Sequence, residues 1–260
     1  NKPDCDKRDR FIMSKGHCSL GLLSVLHLKG FITKEELATF RLNGSDFGAH
    51  LDKDKMPGVE MSTGSLGHGF SVGGGRALAA KIDNKNFRTY VLMGDGENQE
   101  GSIWEAAMSA SNYKLDNLIG IVDRNNIQQC GFTEDIMSTE PLKDKWESFG
   151  WSVKEIDGHN MKELLYTFQA VRKMNTPVLV HVYTQKGKRS KSAENDAIKY
   201  YSMKGTNNQN SSSEVPDYSK VFGHSITQLA EKEDKMICIT AAMEIGTGMA
   251  PFIKKFPDKY

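Results

Sequence analysis

No stretch of this 260-residue chain approaches the roughly 20 consecutive apolar residues that a membrane helix needs. The amino terminus carries no signal-peptide pattern either. Cysteine is scarce: Cys5, Cys18, Cys130 and Cys238 are far apart and form no CxxC pair, which excludes the usual zinc and dithiol motifs. Free thiols in a cytoplasmic protein are the expected state. A dominant charge is missing too. With 34 Lys and Arg against 33 Asp and Glu, the net charge of +1 offers no electrostatic footprint for nucleic acid or a membrane surface. No phosphate-loop lysine follows any glycine cluster, so a Walker motif is excluded. A dinucleotide fingerprint starting at Gly94 would need glycine where Gln99 stands. What remains is 38% hydrophobic and 26% charged, an ordinary globular balance, with length for one large or two ordinary domains.

The most informative stretch runs from Gly94 to Ile127. An apolar run, Tyr90 to Met93, ends at Gly94-Asp95-Gly96. A helical segment, Ser102 to Lys114, follows, then a second apolar run ending at Asn125-Asn126. Oxygen-bearing side chains therefore stand at the carboxyl ends of two strands, where open α/β sheets place their ligands. Glycines flanking Asp95 let the backbone approach a bulky anion and present N–H groups to it. Asp95 and Asn125 offer hard oxygens suited to Mg²⁺ or Ca²⁺. Magnesium held by two or three protein oxygens completes its shell with water and phosphate. The spacing thus predicts a metal-bridged diphosphate. On these residues alone, a plain glycine turn followed by a strand-end cap stays open.

Elsewhere the pattern alternates strand and helix. Asn1 to Phe11 is polar with no helical start. Ser14-Lys15-Gly16-His17 turns into an apolar helix, and Thr33 to Glu36 forms a capping box for a short helix through Phe40. Glycines from Gly64 to Gly69 and at Gly73 to Gly75 open a helix through Lys81. Strands are expected at Trp151–Ile156 and Pro177–Tyr183, the latter holding His181 as a packed core residue, with an amphipathic helix at Met161–Lys173 between them. A linker is expected by composition at Asn207–Ser213, then a helix from Tyr218 to Glu231 and a strand at Met236–Thr240. This order predicts an α/β fold, a parallel sheet with helices on both faces.

A GDG turn followed thirty residues later by Asn-Asn resembles the thiamine-diphosphate motif. The flanking GDGENQEG and SKGH narrow the resemblance to the transketolase family, from about Arg8 to about Lys188. The resemblance implies a thiamine-diphosphate-binding fold with a diphosphate-binding domain at 1–188, a linker at 189–217, and the beginning of a similar pyrimidine-binding domain at 218–260. It implies Mg²⁺ ligated by Asp95, Asn125 and the main-chain carbonyl of Ile127. Thiamine diphosphate would be held by His17, Gly94, Asp95, Gly96, Glu97, Asn125 and Lys186, with Gly64, Ser65 and Leu66 against its aminopyrimidine. His50, His68 and Lys186 would face substrate, and Glu100 would lie at a dimer interface. His17, His50, His68 and Glu100 are thereby the candidate catalytic residues.

The chain departs from the family pattern at several points. Ala49 separates Gly48 from His50, and His68 stands where transketolases more often have glutamine. Tyr200-Tyr201 occupies a place where a substrate histidine is usual. Glu244 replaces an arginine found in deoxyxylulose-phosphate synthases. In the family, helices and another histidine precede SKGH, and a glutamate that serves the pyrimidine ring follows shortly after the position of Tyr260. A chain truncated at both ends and incomplete for catalysis on its own is therefore expected. The implied activity is transfer of a two-carbon ketol unit between sugar phosphates, an EC 2.2.1 type reaction, by a homodimer or with a chain carrying the complete pyrimidine-binding domain. Two alternatives stay open: a deoxyxylulose-phosphate synthase condensing pyruvate with glyceraldehyde 3-phosphate, and a non-catalytic cofactor-binding subunit.

Overall fold

The computed structural model describes residues 3, 5–129, 131–197, 200, 216–241 and 243–260. The linker core at 207–213, Tyr201, Cys130 and Ala242 lie outside the described residues. The chain divides into two compact units, one of residues 1–126 and 133–185, the other of 127–132 and 186–260.

The first unit is built on five parallel strands: β1 (Arg10–Met13), β2 (Thr89–Gly94), β3 (Leu118–Arg124), β6 (Ser152–Asp157) and β7 (Val178–Tyr183), in the order β1-β2-β3-β7-β6. Its helices are α1 (Ser19–Leu28), α2 (Lys34–Ala38), α3 (His68–Ile82), α4 (Gly101–Asn112), α5 (Thr133–Met137), α6 (Leu142–Ser148) and α7 (Met161–Val171). Alternation along each strand sorts side chains between two faces. Val91, Met93, Leu118, Val122 and Leu179 pack with Phe70 and Ala77 of α3, Ile103 and Ala107 of α4, and Trp146 of α6. Tyr90, Leu92, Ile119, Ile121, Val178 and Val180 pack with Leu164, Phe168 and Val171 of α7. Phe11 and Met13 meet Leu22, Leu23 and Leu26 of α1. The expected parallel sheet, covered on both faces, is what folds. Thr33 caps α2 in a two-way capping box with Glu36, as its sequence indicates. Among the described residues no helix is long and apolar enough to cross a membrane.

Two features of this unit differ from what the sequence predicts. β1 forms where the sequence suggests only a polar lead-in, because its four residues pair in register with Thr89 to Leu92. Helices α5 and α6 fill a stretch whose sequence signals no element.

His181 is fully buried on β7, as expected of a core residue, but it is not in an apolar setting. Its Nε2 lies 3.9 Å from Glu140 and its Nδ1 3.6 Å from Glu155, both beyond hydrogen-bond length. Those carboxylates are engaged by Arg124 Nε, which donates to Glu140 at 2.7 Å, and Tyr183 OH, which donates to Glu155 at 2.6 Å. Burial drives the His181 pKa below its usual value; the pull of the two carboxylates does not offset it. A depressed folded pKa means stability that is present above the unfolded value near 6.5 and lost as pH falls through the folded value. The unfolding midpoint should therefore drop as pH is lowered below about 6.5, and His181→Phe should flatten that slope relative to wild type. Parallel slopes in thermal melts across this range would contradict it.

The second unit contains the hairpin β4 (Ile127–Gln128) with β5 (Gly131–Phe132), and helices α8 (Lys191–Asn195), α9 (Tyr218–Ala230) and α10 (Ala250–Lys255). Its small core joins Ile226 and Ala230 of α9 to Met249 and Phe252. The strand expected at Met236–Thr240 does not form: among the described residues this segment enters no ladder. Strand conformation needs a pairing neighbour, and the one ladder described in this unit is the β4–β5 hairpin.

Candidate cofactor site

Parallel strands deliver their carboxyl ends to one edge of the sheet. Ser14 to His17 follow β1, Asp95 follows β2, Asn125 and Asn126 follow β3, and Thr184 follows β7. The β2–β3 register sets Gly94 opposite Asp123, so the GDG turn and the Asn-Asn pair leave neighbouring strand ends.

Asp95 joins them. Its side chain is 4% exposed; Oδ2 accepts from the amide of Asn126 at 2.6 Å and Oδ1 from the amide of Gly96 at 2.8 Å. Asn126 takes a left-handed backbone, φ 65°, which asparagine tolerates better than most residues. Its Oδ1 is buried and, among the described residues, has no hydrogen-bond partner. Burial pushes the Asp95 carboxyl up; the two amides and Lys15 pull it down, Asp123 adds to the push, and the net direction is up.

Lys15 is 2% exposed, and its Nζ meets Asp123 Oδ2 at 2.6 Å. Thr184 Oγ1 donates to the other Asp123 oxygen at 2.5 Å. Burial alone would lower the lysine pKa, but Asp123, with Cys18 and Asp95, outweighs it and the net direction is up. The edge therefore holds two carboxylates against one ammonium. A nearby cavity of about 610 Å³ is lined by this pair together with Met13, Cys18, Leu22 and Leu92.

Glu97 is 2% exposed and turned inward. Its carboxylate accepts from Ser14 Oγ, from the amide of Gly67 at 2.9 Å and from the amide of Gly94 at 3.0 Å. The Gly94 carbonyl accepts from Asn98 Nδ2 at 2.8 Å. The sequence predicts that the glycine amides of this turn face an incoming anion. Here the Gly94 and Gly96 amides are aimed at Glu97 and Asp95.

The remaining candidates gather in part. His50 lies against the SKGH turn and the glycine loop: a Cβ on Gly16 would come 2.9 Å from the His50 ring, and one on Gly64 3.1 Å. Gly64 also has φ 149°, a conformation that excludes most side chains. Thr63 Oγ1 ties this loop to the Met13 carbonyl at 2.8 Å. His17, His50, Gly64, Ser65, His68 and Glu100 are exposed, and Leu66 is half-buried. His68 begins α3, and Glu100 caps α4 with its Cβ 3.0 Å from where a Gly67 Cβ would stand. Ile127 and Lys186 belong to the second unit, Ile127 as the first residue of β4.

Among the described residues no group of three or more His, Cys, Asp or Glu forms a metal centre. A site with one carboxylate, Asp95, and one amide, Asn125, is instead suited to a hard cation that takes further oxygens from water and phosphate. The net negative edge and the orphaned amide oxygen of Asn126 fit a divalent cation there. Sequence reasoning assigns no role to Ser14, Thr63, Asp123 or Thr184. Asp123 carries a signal all the same: an acid closing the buried run Leu118 to Val122.

The thiamine diphosphate-binding domain of transketolases matches residues 1–214. The chain belongs to the transketolase family. It is 50% identical over 189 residues to one of the subunits of the apulose-4-phosphate transketolase of Phocaeicola vulgatus, covering 72% of this chain and 67% of that protein. It is 43% identical over 189 residues to the 6-deoxy-6-sulfo-D-fructose transketolase subunit SqwG of a Clostridium species, covering 72% and 69%. Among solved structures, transketolase from Campylobacter jejuni superposes with a TM-score of 0.68 at 35% identity, covering 71% of this chain but 30% of that one. This transketolase-family chain thus spans about two thirds of the subunit-type relatives and under a third of the Campylobacter enzyme. Its five-stranded unit has the fold of a thiamine-diphosphate-binding domain, and its relatives are transferases.

Proposed function

We propose that the chain binds thiamine diphosphate through Mg²⁺ and contributes that half of the site to transfer of a two-carbon ketol unit between sugar phosphates. The observation that carries this reading is the Asp95–Asn126 hydrogen bond, which locks the GDG turn to the Asn-Asn pair. Asp95, Asn125 and the Ile127 carbonyl would hold the metal, and His17 would donate to the diphosphate. Gly64 to Leu66 would lie along the aminopyrimidine. The thiazolium ring of the bound cofactor supplies an electron sink for carbon–carbon cleavage. This chain's residues bind, orient and move protons: His50, His68 and Lys186 toward the substrate hydroxyls and carbonyl, Glu100 at an interface with another chain.

We assign residues 1–188 to diphosphate binding, 189–217 to a linker and 218–260 to the start of a pyrimidine-binding domain. Two relatives are themselves named as subunits, which supports pairing with a chain that carries a complete pyrimidine-binding domain. Their names also favour ketol transfer over condensation of pyruvate. A coupled assay tests this. With Mg²⁺, thiamine diphosphate and such a partner chain, ketose phosphate plus aldose phosphate should give transfer that needs both chains. Pyruvate consumption with CO₂ release, and no transfer from ketose, would overturn the assignment.

A further inference from the structure

We propose that Glu97 is a positioning residue, which sets the shape of the cofactor cradle by tying three separate chain segments to one buried carboxylate. The proposal rests on the cofactor reading above and gives Glu97 a different part from direct cofactor contact. Ser14, 83 residues away in sequence, immediately precedes Lys15, Gly16 and His17. Gly67, 30 residues away, closes the Gly64–Ser65–Leu66 loop. Gly94 immediately precedes Asp95. All three donate to Glu97, one through a hydroxyl and two through backbone amides. A loosened bond to any of them frees a segment that bears a proposed ligand of diphosphate, aminopyrimidine or metal.

A carboxyl group meets all three partners at once, one oxygen facing Ser14 and Gly67 and the other Gly94. Glutamine offers one oxygen and an NH₂ group, and the NH₂ would face either the Gly94 amide or the pair formed by Ser14 and Gly67. The surroundings leave little slack. A Cβ on Gly69 would stand 2.8 Å from the Ser14 Cα, so α3 already holds Ser14 closely from the other side. Glu97 itself is 2% exposed and each of its oxygens is engaged within the protein.

The test uses Glu97→Gln and, as a milder change that removes a single donor, Ser14→Ala. Two readouts are needed: amide exchange of the unliganded protein, and thiamine diphosphate affinity at saturating Mg²⁺. In Glu97→Gln, exchange should rise together around Gly67 and Gly94, while the β3 and β7 core stays protected. Affinity should fall about 10- to 100-fold for Glu97→Gln, as expected for loss of a hydrogen bond to a charged group, and less for Ser14→Ala. A local rise in exchange beside a protected core is a split that global destabilisation would not give. Unchanged affinity in both variants overturns the positioning role, whether or not their melting points fall. Wild-type protein that binds no thiamine diphosphate overturns the underlying cofactor reading instead, and is told apart because the exchange result does not depend on cofactor.

Discussion

An Asp95→Ala chain is expected to lose thiamine diphosphate affinity by at least about 100-fold at saturating Mg²⁺, beyond what loss of an outer-shell partner usually costs a metal site. Three consequences of one deletion add up. The single carboxylate proposed for the metal is gone, so a hard cation faces only neutral oxygens. The amide of Asn126 loses its 2.6 Å acceptor, which releases the Asn-Asn pair from the GDG turn. Lys15 keeps Asp123 but loses a second nearby acid. Asp95→Asn separates these effects. It keeps an oxygen for one backbone amide but removes the charge, and should still bind cofactor far more weakly than wild type. Titration calorimetry, with melting curves on both variants, measures it. An alanine variant within about threefold of wild type would leave Asp95 a turn residue only, since a lost charged contact ordinarily costs more than tenfold.

Trp146→Ala is expected to cost about 3–5 kcal/mol of stability, the range for truncating a large buried aromatic. Trp146 is fully buried at the centre of an aromatic cluster. Its ring centroid lies 4.8 Å from Trp151 and 5.4 Å from Phe70, both edge-on, and 5.7 Å from Trp104. Alanine removes contacts to three elements at once and leaves a void that rigid strands and helices cannot close. Trp146→Phe should lose clearly less. Denaturant melts followed by near-ultraviolet circular dichroism give the ordering wild type, Phe, Ala; an alanine variant within about 1 kcal/mol would show that the cluster repacks.

The parts of the fold that are legible in the sequence are those whose signal is local. β2, α4 and β3 show as apolar run, helix period and apolar run, and the capping box at Thr33 names its own partner three residues on. β1 is not legible: four residues beginning with Arg10 become a strand only because β2 lies alongside. Met236–Thr240 fails in the opposite direction, strand-like in composition and unpaired in the described structure. The site divides the same way. Asp95 and the Asn-Asn pair stand out because glycine, acid and amide occupy strand ends at a telling spacing. Glu97 looks like an ordinary acid in a first helical turn, since two of its three partners are far away in sequence. The Lys15–Asp123 pair, 108 residues apart, is hidden for the same reason. Long-range polar contacts leave no periodicity to read.

Replacing Mg²⁺ by Mn²⁺ makes the proposed metal directly visible through water-proton relaxation. Mn²⁺ should bind the wild-type chain weakly by itself and much more tightly once thiamine diphosphate is added, with the gain lost in Asn125→Ala. Mn²⁺ affinity that is indifferent to thiamine diphosphate, or unaltered by Asn125→Ala, would contradict a diphosphate bridged by metal to the ends of β2 and β3.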